Sequence, residues 1–262
     1  KRMVVVTLAH EDIGGDAKAK GSVDAHRAGA DATAVAVPIA CVLEPGPSPL
    51  VSFRLAFKSG SVADPAGCEG VARLAAAMIA EGSSRAMKYE EIQQALYPLA
   101  ATLSYQVDQE MTVFSAQVHK DNFAAFYDIV AAQIFDPALA ESDLARVKSD
   151  LVSSIRVDLR ANNDEELAKE LLRELIYANH PYGHLPAGHC RAIEALTAAD
   201  VRDFIHENYT LPRAIIGLAG GYAERDLARI KADVSRLGTE SGDGAAIPQA
   251  KLPERTTIAI VE

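Results

Sequence analysis

His180, His184, His189 and Cys190 fall within eleven residues of one another, and imidazole and thiolate are the usual ligands of zinc and of soft transition metals. Their spacing is not that of a helix-borne pair. Pro181, Gly183, Pro186 and Gly188 interrupt the run and force an irregular loop. A hydrogen-bonded turn is the first expectation here, and a metal serving an active hydrolase is the alternative. Ser153-Ser154 offers hydroxyl nucleophiles but no Gly-x-Ser-x-Gly elbow, and a serine pair in a helix is ordinarily solvated or bonded back to its own turn. Gly217–Gly221 lacks the Lys-Ser/Thr of a phosphate loop and the G-x-G-x-x-G register. Cys41, Cys68 and Cys190 are too few and too scattered for a disulfide framework or a thiolate zinc site.

The elements that would position such groups follow from periodicity. Val51, Phe53, Leu55 and Phe57 alternate with Ser52, Arg54 and Lys58, the pattern of a half-buried strand. Thr33–Leu43 is β-compatible, and the intervening Pro-rich turn predicts a hairpin of the two. Helices are expected over Gly70–Glu81 and Lys88–Leu96. Strands follow near Thr102–Val107 and Thr112–Val118. A helix through Phe123 and Ile134 has Asp121 as its candidate cap. Two more helices carry Leu144 to Ile155 and Leu167 to Leu175, the second capped by Asn162 or Asn163. A third is capped by Thr197, and a short strand, Ala214–Ala219, precedes a last helix reaching Leu237. Hairpins and helices are grouped, not alternating, so the fold class is α+β with a mostly antiparallel sheet covered by helices on one face.

The 262 residues carry Lys plus Arg 26 and Asp plus Glu 36, a net charge of −10. That acidity argues against nucleic acid or an anionic membrane surface as partner and is compatible with basic peptides. No apolar stretch approaches the ~20 residues of a membrane span. Residues 1–32 read as a mobile leader, 33–238 as one folded unit, and 239–262 as a linker plus the first strand of a further, missing half. The chain begins at Lys1 rather than Met. That start implies that something upstream was processed or trimmed; the compartment stays unassigned, with a periplasmic or secreted one favoured over the cytoplasm.

The run Val51–Ser61, then Asp64-Pro65, then Gly70–Met78 resembles the opening of a pitrilysin/insulinase-type zinc peptidase half, nearest in layout to the processing-peptidase group. His180-Pro181-Tyr182-Gly183, the Leu196–Tyr209 helix and the Ala214–Gly221 strand are later echoes of it. The resemblance implies an H-x-x-E-H helix, in which two imidazoles one turn apart hold zinc and the Glu deprotonates a bound water. The matching residues here are Arg73-Leu74-Ala75-Ala76-Ala77. Arg73 is permanently protonated and offers no lone pair, and Ala76 and Ala77 carry no functional group. The family's third ligand falls near Val152–Ile155, where no carboxylate stands; the nearest are Asp150 and Asp158.

No catalytic and no metal-binding residue is therefore expected in this chain, and the substrate-binding residues stay unassigned. The resemblance implies a non-catalytic partner subunit of a heteromeric zinc peptidase, with zinc held by the catalytic partner and unfolded peptide enclosed between them. The alternative is a structural protein of the same fold with no part in proteolysis. Glu69 and Arg73, spaced i,i+4, are expected to form a solvated ion pair; the alternative has Arg73 lining a substrate chamber opposite an active site on another chain. An open sheet face is expected to expose an apolar patch toward the missing half.

Overall fold

The computed structural model describes residues 38–240 and 247–251, together with the backbone of strands Val4–Leu8 and Thr257–Val261. In chain order the strands are β1 (Val4–Leu8), β2 (Ala40–Pro45), β3 (Leu50–Phe57), β4 (Ser104–Val107), β5 (Thr112–His119), β6 (Ala214–Gly220) and β7 (Thr257–Val261). The helices are α1 (Val71–Ala80), α2 (Tyr89–Leu96), α3 (Phe123–Phe135), α4 (Glu141–Ser153), α5 (Asp164–Ile176), α6 (Cys190–Ala195), α7 (Ala198–Asn208) and α8 (Glu224–Val234).

The main sheet has the order β2-β6-β3-β5-β4. Three of its pairings are antiparallel and one, β2 with β6, is parallel. This is the expected α+β class with one correction. Strands β2 and β3 do not form a hairpin, because β6 inserts between them. Its small residues explain the fit: Gly217 faces Arg54, whose Cβ would lie 3.2 Å from any Cβ at that position.

Val51, Phe53, Leu55 and Phe57 of β3, Phe114 and Val118 of β5, and Ile216 and Leu218 of β6 are buried on the helix-covered face. The other face carries Ser52, Arg54, Ser104, Gln106, Ser115 and Gln117 together with the apolar Val42, Leu50, Ala56, Val113 and Ile215. Of the open face's apolar side chains, Val42 and Leu50 are exposed, at 60% and 41%. Period-two alternation sorts the faces, and helices follow the apolar one.

Helix α1 sits at the centre of the core. All its residues except Arg73 are buried, as expected for a helix that is apolar all round. Its alanines allow sheet and helices to approach closely.

Within the expected leader, Val4–Leu8 is a strand that pairs antiparallel with Thr257–Val261 in a separate two-stranded sheet. That strand, read from sequence as opening a further half, thus has its partner near the other end of the chain. The remaining leader and most of the 239–262 segment lie outside the described residues. Two local expectations also change. Asn122 rather than Asp121 precedes α3, and the loop after His180 ends in the short helix α6 at Cys190. Asn163 and Thr197 cap α5 and α7 as expected.

Candidate functional site

Helix α1 is anchored at both ends by side chains from distant segments. At its start, the Asp64 carboxylate accepts from Gly70 N at 2.7 Å and Ala72 N at 2.9 Å. A carboxylate suits the positive end of the helix dipole. His184 Nε2 lies 3.2 Å from the same carboxylate, whose side chain is fully buried. Burial pushes the Asp64 carboxyl above its ordinary value, against the pull of His184 and the two amides. The hydrogen bond to Asp64 in turn raises the His184 pKa. At the far end, the buried Gln133 donates to the carbonyls of Ile79 and Ala80, and Arg146 donates to that of Glu81.

The positions that a zinc motif would occupy lie on this clamped helix. Ala76 and Ala77 have no exposed surface. Arg73 does not pair with Glu69, correcting the expected ion pair. Glu69 accepts from Gly67 N at 2.9 Å, while the Arg73 guanidinium lies over the Tyr105 ring of β4, 5.4 Å from its centroid. The spacing was permissive, but the backbone turn at Gly67 captured the carboxylate.

Around Arg73 a polar group assembles across α1, α4 and the start of α2. Arg146 stacks on Tyr89 at 4.7 Å and lies 3.5 Å from Asp150. Burial raises the pKa of the half-buried Glu81, Arg146 opposes that rise, the Asp150 carboxylate adds to it, and Arg73 opposes it more weakly. Burial likewise raises that of Tyr105. Arg146, Glu81 and Tyr105 could not have been assigned from sequence, since only packing of α4 and β4 onto α1 brings them together.

The expected third-ligand stretch holds no carboxylate. Val152 and Ile155 are buried, Ser153 is exposed, and the chain passes into a π-helical turn over Ser154–Leu159. Zinc therefore does not fit here: guanidinium and methyl groups stand at the motif positions, and the expected third-ligand stretch at 152–155 carries no carboxylate.

The histidine-rich loop does not converge. His180 Nδ1 accepts from Tyr182 N at 3.1 Å, and its Nε2 meets the Pro248 carbonyl at 2.7 Å, so both ring nitrogens are occupied and the ring is the Nε2–H tautomer. His184 turns to Asp64, and His189 is exposed. Among the described residues no group of three or more His, Cys, Asp and Glu is placed to hold a metal ion. No described helix is long and apolar enough to cross a membrane.

The fold is a helix-covered, mostly antiparallel sheet around a buried central helix, with no cluster of metal ligands among the described residues. The profile of Insulinase (Peptidase family M16) matches residues 41–186, and the chain belongs to that family. It is 25% identical to the mitochondrial-processing peptidase subunit beta of Dictyostelium discoideum over 169 residues, 64% of this chain and 36% of that protein. It is 22% identical to the uncharacterized zinc protease YmxG of Bacillus subtilis, over 51% of this chain and 32% of that one. Among solved structures, the peptidase M16 inactive domain from Pseudomonas fluorescens superposes with a TM-score of 0.71 at 26% identity, covering 80% of this chain and 51% of that chain. The first half of the periplasmic protease PqqL from Escherichia coli superposes with a TM-score of 0.68 at 16% identity, over 79% and 46%. The chain thus spans about a third of these curated relatives and about half of the structural neighbours.

Proposed function

We propose that this chain is the N-terminal half of a non-catalytic partner subunit in a heteromeric M16 zinc peptidase. A catalytic partner that retains H-x-x-E-H supplies the zinc, and this subunit helps enclose an unfolded peptide. The observation that carries the reading is the buried helix of the peptidase fold with Arg73, Ala76 and Ala77 where ligands and base would stand. The share of its relatives that the chain covers supports a second half beyond it. A periplasmic or secreted setting belongs to the same proposal and is supported by the described location of PqqL.

The test is to purify the chain alone and together with an M16 subunit that keeps the full motif. Alone it is expected to hold no zinc after dialysis and to cleave no peptide. With the partner it forms a complex and raises the partner's peptidase activity. About one zinc per chain, removed by a chelator together with peptidase activity, would overturn the proposal. A complex without any change in activity would favour the structural alternative.

A further inference from the structure

We infer that the cleft between the β4–β5 turn and the end of α5 is a binding pocket for a guanidinium or ammonium side chain. Its volume is about 470 Å³, and its walls include Asp108, Glu110, Met111, Tyr177 and Tyr182. That is large enough for an arginine or lysine side chain.

Both kinds of wall favour a cation. The rings of Tyr177 and Tyr182, both lining the cleft, stand 5.4 Å apart at 70°, and an aromatic ring attracts a cation through its electron-rich face. His180 packs against both, at 5.3 and 5.0 Å, and the bonds to its two nitrogens hold the cluster in place. The opposite wall is the turn of the hairpin. Asp108 Oδ1 accepts from Glu110 N at 2.8 Å and Met111 N at 2.7 Å, which fixes the turn that carries the two carboxylates. Glu110 accepts from the Tyr182 hydroxyl, tying the acidic wall to the aromatic one. The basic residue that also lines the cleft, Arg173, is paired with Glu170 at 2.6 Å. It therefore does not cancel the two carboxylates of the turn. The chain's net charge of −10 acts in the same direction at longer range.

That the cation belongs to a peptide rests on the proposed partner role; the charge preference of the pocket does not. The probe is N-acetyl-arginine amide, with N-acetyl-citrulline amide as its neutral isostere. Both are titrated into the isotopically labelled 262-residue chain and followed by amide chemical shifts. The arginine derivative is expected to bind with a Kd on the order of millimolar, moving signals at 108–111, Tyr177 and Tyr182, and to weaken in high salt. The citrulline derivative is expected to move none of them.

Glu110→Gln keeps an acceptor for Tyr182 and removes the charge, and it should raise the Kd about fivefold or more. Tyr177→Leu should act similarly. Equal binding of the two probes, shifts that map elsewhere, or an unchanged Kd in Glu110→Gln would overturn the assignment. Arginine binding combined with no effect on a zinc-bearing partner would remove the peptidase role and leave the pocket standing.

Discussion

Restoring the zinc motif by Arg73→His, Ala76→Glu and Ala77→His is expected to unfold the protein before it restores a metal site. Ala76 and Ala77 have no exposed surface, and α1 is buried along its length. Enlarging a side chain in a packed core costs about 1–3 kcal/mol at each position. A carboxylate placed there without a partner adds a few kcal/mol more, limited by its protonation. Because the two sites adjoin, the sum is not strictly additive, but about 5 kcal/mol is a fair total. Set against the 5–15 kcal/mol of a typical domain, at roughly 2–4 °C per kcal/mol, that lowers the Tm by about 10–20 °C. Arg73→His alone loses mainly its stack on Tyr105, about 0.5–1 kcal/mol. Thermal melts of the triple variant and of each single variant measure this, with zinc content by elemental analysis and peptide cleavage read on the same samples. A triple variant that melts within ~3 °C of the parent and holds one zinc with activity would show that the α1 face is not closed. It would also place the third ligand outside Val152–Ile155.

The Asp64–His184 clasp makes stability fall as pH rises. Asp64 raises the His184 pKa, so the stabilisation, about 1.5–3 kcal/mol for a charged hydrogen bond, is complete below the ordinary ~6.5. It is lost as the pH climbs through the raised native value. The burial-raised carboxyl of Asp64 gives a slope of the same sign at lower pH, from about 3.8 upward. Urea unfolding from pH 5.5 to 8.5 should show the upper slope in the parent and not in His184→Asn; parallel curves would contradict the clasp. Gly188 has φ +79°, and a Cβ there would lie 2.3 Å from the Glu69 carbonyl oxygen. Gly188→Ala should therefore destabilise by about 2 kcal/mol or more, and an unchanged Tm would refute the close approach. Gln133→Ala leaves two carbonyls at the end of α1 without their donor and should cost about 1–3 kcal/mol by chemical denaturation.

Much of the fold was legible because it is encoded locally. The alternation of Val51 to Phe57 fixed which face of β3 is buried, and Asn163 and Thr197 stand where helix caps must stand. The hairpin expected of β2 and β3 failed because adjacency in sequence does not decide strand order. Strand β6 is contributed by residues over 150 positions further on, and its glycine at 217 lets it lie beside Arg54.

For the site, the sequence alone determined which chemical groups stand at the positions proposed for the zinc motif. The residue types at 73, 76 and 77 exclude metal ligation whatever their surroundings, because a guanidinium and two methyl groups have no lone pair to give. What those positions do instead was decided only by tertiary structure. Packing placed Arg73 over Tyr105 rather than beside Glu69, set Asp64 and His184 at one end of α1 and Gln133 and Arg146 at the other, and joined Glu110 to Tyr182 across a pocket. The pairs that α1 and the pocket bring together lie some 30 to 120 positions apart in the chain, and nothing in the local sequence of either partner specifies the other. Their meeting is fixed by the burial of the helix and sheet faces that carry them, a property of the whole core.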